Sequence, residues 1–293
     1  MTEFLLELYS EEIPPKLQIN ARTQLKQQLE TTLKNEGVHF KECLAYSSPT
    51  RLCLHIIGIP EKIKIKEKEV KGPKTGVSEN IIQGFIKSHN ISDKDLFKKE
   101  TEKGEFYFLK ISEKHILVEN LLIDVVPKTI STISWKKSMK WSTNNLIWGR
   151  PLRSIFALFN GKKLPFKLQH LDSTDIIIVE QDLVSKSRKV KSFKEYSSFL
   201  KENKIIFDQN ERQKIILKRF ISVSNSKNYK DRYNHYLLEE VVNIVENPHV
   251  LLVSFDKEYL KIPEEIIIST IEKHQKYFPL FDSRGKLTNH FFV

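Results

Sequence analysis

Strand-like and helix-like apolar segments follow one another along this chain in no regular order. The opening run Phe4–Tyr9 is rich in strand-forming residues, whereas apolar residues from Pro15 to Glu36 recur at nearly four-residue intervals. Gly37 stands where a glycine would cap the end of that helix. Regular alternation of strands and helices would favour a doubly wound parallel sheet. Because this chain shows no such alternation, that fold is not favoured. The sequence therefore predicts an α+β fold with mixed, mainly antiparallel sheets and packed helices.

Turn and cap signals predict further elements. Asn160-Gly161 is a hairpin signal that predicts strands at Leu152–Phe159 and Leu164–Leu168. Asp208-Gln-Asn-Glu211 is a capping-box pattern that opens a helix to about Ser224. Arg212, Lys214, Lys218 and Arg219 are expected mainly on the outer face of that helix.

The chain is expected to form two lobes, residues 1–134 and residues 135–293. The second lobe would begin with a basic segment that contains tryptophan. It is also expected to be truncated at its C-terminal end, because 289–293 resembles an interrupted strand. Within the first lobe, Lys71–Gly76 combines glycines with a proline and predicts a turn.

The composition excludes some classes of protein. With 293 residues and 40% apolar content, the chain can build one large core or two ordinary ones. Apolar stretches such as Ile176–Val179 have the length of strands and fall far short of the roughly 20 residues that cross a bilayer. Cys43 and Cys53 are too few for a disulfide framework, and the N-terminus has no basic leader. We therefore expect a cytoplasmic protein without a membrane span.

Positive charge is concentrated in two segments of the chain. Lys and Arg total 48 against 37 for Asp and Glu, a net charge of +11. Residues 135–163 carry seven basic residues and no acidic residue, and residues 186–232 are also strongly basic. Such segments attract the phosphate backbone of nucleic acids, although charged runs also form ordinary solvated faces.

Candidate nucleic-acid contacts lie in these two basic segments. Trp141 could stack on an unpaired base, with core packing as the alternative for Trp141 and for Trp148. Arg150 precedes a proline and is the better phosphate candidate, whereas Arg153 could instead form a structural salt bridge. The full candidate set is Lys136, Lys137, Lys140, Trp141, Arg150, Arg153, Lys186, Arg188, Arg212 and Arg219.

The sequence does not predict a catalytic or metal site. Glu11 and Glu12, like Glu239 and Glu240, are adjacent pairs whose side chains point in different directions on a helix or strand. Histidine and cysteine spacings match no common metal-binding pattern. We therefore expect no catalytic residue and no metal ligand in this chain.

An ordered series of short motifs extends over nearly the whole chain. The motifs are Glu11-Glu-Ile-Pro-Pro15, Ser48-Pro-Thr-Arg-Leu52, Lys71-Gly-Pro73, Gln83-Gly-Phe85, Lys103-Gly-Glu-Phe106, Met139-Lys-Trp141, Arg150-Pro-Leu152, the run from Leu237 to Leu251, Pro263-Glu-Glu265 and Glu272-Lys-His-Gln-Lys-Tyr-Phe-Pro279. This series resembles the beta subunit of bacterial two-subunit glycyl-tRNA synthetase. The sequence departs from the family around 175–188, which lacks a Gly-His-Arg-Phe motif, and at Asn247, where an aromatic residue is common.

The resemblance implies a division of labour between two subunits. In the family the alpha subunit binds ATP and glycine, uses Mg²⁺ and performs both chemical steps, while the beta subunit recognises and positions tRNA. For this chain it implies tRNA-Gly, an alpha subunit and a second beta subunit of an alpha2beta2 assembly as partners, and no cofactor of its own. It also implies that an anticodon-binding domain lies beyond Val293. Two alternatives stay open: a stand-alone RNA-binding or scaffolding module descended from that subunit, and an editing-type hydrolase.

Overall fold

The computed structural model describes residues 2–65, 68–89, 96–101, 104–111, 114–141, 145–181, 184–230 and 232–293. Its α-helices are α1 (Pro15–Asn35), α2 (Glu79–His89), α3 (Val118–Ser131), α4 (Phe193–Glu202), α5 (Gln209–Lys227), α6 (His235–Val242) and α7 (Glu264–Ser269). Its strands are β1 (Glu3–Ser10), β2 (Glu42–Ser48), β3 (Arg51–Ile57), β4 (Lys62–Ile65), β5 (Lys68–Lys74), β6 (Leu96–Thr101), β7 (Gly104–Ile111), β8 (Lys114–Leu117), β9 (Leu152–Phe159), β10 (Lys162–Lys163), β11 (Lys167–Leu168), β12 (Leu171–Thr174), β13 (Ile176–Gln181), β14 (Val184–Lys189), β15 (Leu252–Ser254), β16 (Phe278–Phe281) and β17 (Leu287–Phe292). A 3₁₀ helix at Lys257–Lys261 and a π helix at Thr270–His274 complete the described elements.

The strand pairing confirms the predicted fold class. Nearly all described pairs are antiparallel, and the parallel pairing of β12 with β9 is an exception. Helices pack on these sheets without regular strand–helix alternation, so the fold is mixed α+β. Among the described helices, none combines the length and the apolar character needed to cross a membrane.

Contacts divide the chain into two compact units. One consists of Met1–Ile59 together with Leu122–Val293, and the other of Pro60–Leu121. Neither boundary falls at residues 134 and 135, so the division into lobes 1–134 and 135–293 stays a prediction.

The smaller unit contains two short sheets and α2. Strands β5, β7 and β6 form an antiparallel sheet, and β4 pairs with β8. The turn predicted at Lys71–Gly76 is wrong in its first part, because β5 continues to Lys74, which pairs with Phe106. The register shifts between Lys71 and Lys74, which accommodates Pro73, a residue that cannot donate to the ladder.

The larger unit is built on a sheet in the order β11-β12-β9-β1-β3-β2. Its central strand β1 is antiparallel to both neighbours and almost wholly buried. Helix α1 packs one leucine-rich face against this sheet and ends before Gly37, which adopts the left-handed conformation expected of a glycine cap. The predicted strand Leu152–Phe159 is confirmed. The predicted strand Leu164–Leu168 is wrong as a single strand, because Pro165, which lacks an amide donor, separates β10 from β11.

A buried ion pair lies within this sheet. Arg51 on β3 donates a hydrogen bond to the carboxylate of Glu7 on β1 over 2.9 Å and a second to the carbonyl of Ile178 over 2.7 Å. Tyr196 on α4 donates its hydroxyl to the same carboxylate over 2.6 Å. All three side chains are almost fully buried, so this network ties α4 and β13 to the two central strands.

Candidate nucleic-acid interface

The segment before β9 is anchored by tryptophan. The backbones of Met139 and Trp148 exchange two hydrogen bonds, of 2.9 and 3.3 Å. The Trp148 ring is fully buried and donates its Nε1–H to the hydroxyl of Ser10 over 3.1 Å. The core-packing alternative is therefore correct for Trp148, and its burial fixes the segment that carries the predicted lysines.

Three predicted lysines are exposed on this anchored segment. Lys136, Lys137 and Lys140 all present their side chains to solvent. Among the residues that the structure describes, none of the three forms an ion pair or a side-chain hydrogen bond. Their charges are therefore available to an external anion.

Trp141 ends this lysine segment in a partly buried position. Its ring makes an edge-to-face contact with the exposed His170, with the ring centroids 6.5 Å apart. Part of the Trp141 surface thus stays open, and both stacking on a base and packing remain compatible with its position.

Trp135 packs against the glycine that follows Trp148. The two tryptophan rings meet edge to face at 4.8 Å. Gly149 leaves the space for this contact, since a Cβ at this position would lie 2.5 Å from two atoms of the Trp135 ring.

Gly149→Ala should lower the free energy of unfolding by about 1–3 kcal/mol, because the new methyl group must displace the Trp135 ring. Urea denaturation followed by tryptophan fluorescence measures the loss. The matched control is Gly84→Ala in α2, where an added Cβ meets nothing within 4 Å and the helix should lose no stability. A Gly149→Ala curve that coincides with the wild-type curve would contradict the close packing.

The two arginines on either side of the start of β9 differ in their contacts. Arg150 is partly buried and donates to the carbonyl of its neighbour Gly149 over 2.8 Å. Arg153 holds the carboxylate of Glu180 with both terminal nitrogens, and Glu11 lies 3.5 Å away. The salt-bridge alternative is therefore correct for Arg153.

The predicted cations on β14 turn towards α4. Lys186 donates to the side-chain oxygen of Asn203 over 3.0 Å, and Arg188 pairs with Glu202 at 2.7 Å. Both cations are nevertheless exposed. Exposed ion pairs contribute little stability because water screens their charges, so an external phosphate could compete with Glu202 for Arg188.

The predicted exposure of Arg212 is wrong. Its guanidinium is fully buried and donates to the carbonyls of Val242 over 2.8 Å, Ile206 over 2.6 Å and Ser47 over 2.8 Å. Burial lowers the pKa of Arg212 to about 10, so the group is still charged at neutral pH. Helical periodicity placed this residue outward, but β2 and α6 cover that side of α5, so Arg212 cannot reach a phosphate in this structure.

Arg219, about two helical turns further along α5, is exposed as predicted. It forms no ion pair among the described residues. Arg219 therefore stays in the candidate set with Lys136, Lys137 and Lys140.

A second cluster of cations surrounds the turn between β9 and β10 and was missing from the sequence-based set. Lys162 and Lys163 are exposed on β10. The turn lies against the backbone of Lys191, since a Cβ at Gly161 would be 2.9 Å from that carbonyl. The hydrogen bond from Lys189 lowers the pKa of Asp175, and the charge of Lys163 acts in the same direction, so the two lysines lie near one carboxylate. The acid-free segment contains Lys162 and Lys163, but only the tertiary structure brings Lys189 and Lys163 to the same carboxylate.

Motifs that are distant in the sequence meet at the end of the central sheet. Ser48 and Thr50 both donate their hydroxyls to the carboxylate of Glu246, over 2.6 and 3.0 Å. The backbone amide of Ile13 donates to the carbonyl of Pro49 over 2.7 Å. The opening motif, the Ser-Pro-Thr-Arg-Leu motif and the run after α6 therefore form one packed structure.

Comparison with protein families agrees with this arrangement of motifs. The family model described as glycyl-tRNA synthetase beta subunit matches residues 4–293. The match therefore indicates that the protein is a component of an aminoacyl-tRNA synthetase. The chain belongs to the family of glycyl-tRNA synthetase beta subunits.

Curated relatives carry the same description. The glycine–tRNA ligase beta subunits of Rickettsia canadensis (strain McKiel) and Rickettsia prowazekii (strain Madrid E) are each 34% identical to this chain over 291 residues. The beta subunit of Rickettsia peacockii (strain Rustic) is 35% identical over 291 residues. These alignments cover 99% of this chain and 44% of each relative, so the chain spans less than half of their length.

Proposed function

We propose that this chain is a tRNA-binding, non-catalytic part of a glycine–tRNA ligase. The observation that carries the proposal is a row of exposed cations, Lys136, Lys137 and Lys140, beside the partly open ring of Trp141. Within the part of the chain that the structure describes, these cations form no ion pair. Ammonium groups bind phosphates of a nucleic-acid backbone, and an aromatic ring stacks on an unpaired base. Membership of the beta-subunit family supports tRNA as the nucleic acid in this proposal.

The proposed complex contains at least one further subunit. The name of the relatives as beta subunits supports an alpha subunit as partner, and we propose an alpha2beta2 assembly in the cytoplasm. In this proposal the alpha subunit uses ATP and Mg²⁺ to attach glycine to tRNA-Gly. The residues of this chain hold and orient the tRNA and take no part in the covalent steps.

The variant Lys136→Ala/Lys137→Ala/Lys140→Ala should bind tRNA more weakly and with a smaller dependence on salt. Each lost phosphate contact reduces the slope of log K against log salt by about 0.7–0.9, so three contacts reduce it by roughly 2–3. Filter binding or fluorescence anisotropy across a salt series measures both quantities.

The control variant Lys257→Ala/Lys261→Ala/Lys286→Ala removes the same charge from exposed lysines elsewhere. It should leave the slope nearly unchanged. Equal losses in the two variants would mean that net charge, and not the segment before β9, governs binding. If the wild-type chain bound no tRNA at low salt, the proposed function itself would be wrong.

A further inference from the structure

A pocket of about 320 Å³ lies where α1 begins, beside α6 and the π helix. Its lining residues are Pro15, Lys16, Ile19, Asn234, Tyr236, Leu237, Glu239, Glu240, Glu272, Lys273 and Lys276. Three motifs that carry the family resemblance therefore meet here, although more than 200 residues separate the first from the other two. Neither the charge pattern nor the periodicity of the sequence indicated this pocket.

Tyr236 forms the most exposed wall of the pocket. The side chain of Asn234 caps α6 by accepting hydrogen bonds from the amides of Tyr236 and Leu237, over 3.0 and 3.3 Å. This start of the helix buries Leu237 and leaves Tyr236 86% exposed. A large aromatic ring so open to solvent, beside a pocket, is a ready stacking surface.

The inner polar groups of the pocket are held in place. Lys276 pairs with Glu240 at 3.1 Å, and the amide of Asn234 donates to Glu272 over 3.0 Å. Lys276 has a left-handed backbone, with φ of 61°, directly after the π helix and Gln275. A π helix is rare in proteins, and a left-handed backbone is uncommon for a residue other than glycine. Both features recur at functional sites.

The charge at the mouth of the pocket differs from the charge inside. Lys16 and Lys273 are exposed, and neither has an ion-pair partner within the described part of the chain. Inside, Glu240 is neutralised by Lys276, and Glu272 accepts a hydrogen bond from Asn234. The exposed Glu239 acts electrostatically on Arg22 of α1. The arrangement fits a ligand with an anionic group outside and hydrogen-bonding groups inside.

We propose that this pocket receives one unpaired nucleotide of an RNA. Its base would stack on Tyr236, its phosphate would lie near Lys16 and Lys273, and its polar edge would meet Asn234, Glu240 or Glu272. Carboxylates accept hydrogen bonds from the amino groups of bases. The volume lies at the lower end of the range for small-ligand pockets, roughly 300–1,000 Å³, and suits a single nucleotide better than a broad protein contact.

This inference rests on the proposed function only for the class of partner, RNA. The pocket is separate from the segment that carries Lys136, Lys137 and Lys140. RNA would bind there by stacking of a base, whereas the lysines would attract phosphates. The two can therefore be tested independently.

The test compares two RNAs that share one stem, one with blunt ends and one with a single-stranded 3′ overhang. The wild-type chain should bind the overhang RNA more tightly than the blunt RNA. Tyr236→Ala should weaken binding of the overhang RNA about tenfold, since the base loses the aromatic ring on which it stacks. Tyr236→Phe keeps the ring and should bind like wild type, and binding of the blunt RNA should not change.

Tyr259→Ala is the matched control, since Tyr259 is also exposed and lies away from the pocket lining. It should leave the binding of both RNAs unchanged. If Tyr236→Ala binds the overhang RNA as wild type does, the inference is wrong while the proposed function stands. If Tyr236→Ala instead loses only the capture of an alpha subunit, the pocket is a protein contact and the inference is also wrong. A wild-type chain that binds neither RNA would overturn both.

Discussion

Arg51→Met is expected to lower the free energy of unfolding by about 3–5 kcal/mol. The substitution removes the charged partner of Glu7 and the donor to the carbonyl of Ile178, both in the interior of the larger unit. Glu7 would keep the hydroxyl of Tyr196 as a hydrogen-bond donor, but its negative charge would be buried without a cation. An unpaired buried charge is among the most destabilising changes a single substitution can make.

Urea denaturation followed by circular dichroism measures this loss. Arg188→Met is the matched control, because it breaks an exposed pair with Glu202 and should leave the stability almost unchanged. The double variant Glu7→Leu/Arg51→Met should recover much of the stability lost in Arg51→Met, since no buried charge remains. A loss for Arg51→Met as small as that for Arg188→Met would show that the ion pair contributes no more than a surface pair.

Arg212→Met should also destabilise the chain by about 3–5 kcal/mol. The guanidinium donates to three carbonyls, which belong to the last part of β2, the end of α6 and the loop before α5. Hydrogen bonds from charged donors contribute about 1.5–3 kcal/mol each, and buried carbonyls left without a donor add a desolvation cost. The measurement is again the midpoint and slope of urea unfolding.

Arg219→Met, on the exposed face of the same helix, provides the control and should change stability by no more than about 0.5 kcal/mol. Arg212→Lys should fall between wild type and Arg212→Met, because an ammonium group cannot span all three carbonyls. Equal stabilities of Arg212→Met and Arg219→Met would contradict the structural role given to Arg212.

The sequence predicted correctly those structural elements that depend on interactions between residues close together in the chain. The leucine spacing of α1, the glycine after it and the Asn160-Gly161 turn each act within a few residues, and the structure confirms α1, its cap and β9. The side chain of Asp208 also caps α5 as its pattern predicts, by accepting from the amide of Asn210.

The predictions are wrong where contacts between segments that are distant in the sequence determine the structure. Helical periodicity alone placed Arg212 outward, but β2 and the end of α6 cover it. The proline and glycine of 71–76 indicated a turn, whereas pairing with β7 continues the strand across them. The Tyr236 pocket could not be found from spacing, because it joins residues from the start of α1, from α6 and from the π helix.

For the candidate contacts, the sequence predicted which cations are exposed better than it predicted which of them form ion pairs with acidic residues. Lys136, Lys137 and Lys140 lie in a segment without acids, so no neighbour in the sequence could pair with them. Arg153 and Arg188 are instead paired with acids 27 and 14 residues away, through strand pairing and helix packing that charge counting does not include.

The most direct test measures the binding of tRNA-Gly and of an unrelated tRNA to this chain across a salt series, with and without the alpha subunit from the same organism. We expect tighter binding of tRNA-Gly than of the unrelated tRNA, and a stable complex with the alpha subunit. Equal binding of both tRNAs, steeply dependent on salt and without any complex with the alpha subunit, would contradict this expectation and would indicate a stand-alone RNA-binding module.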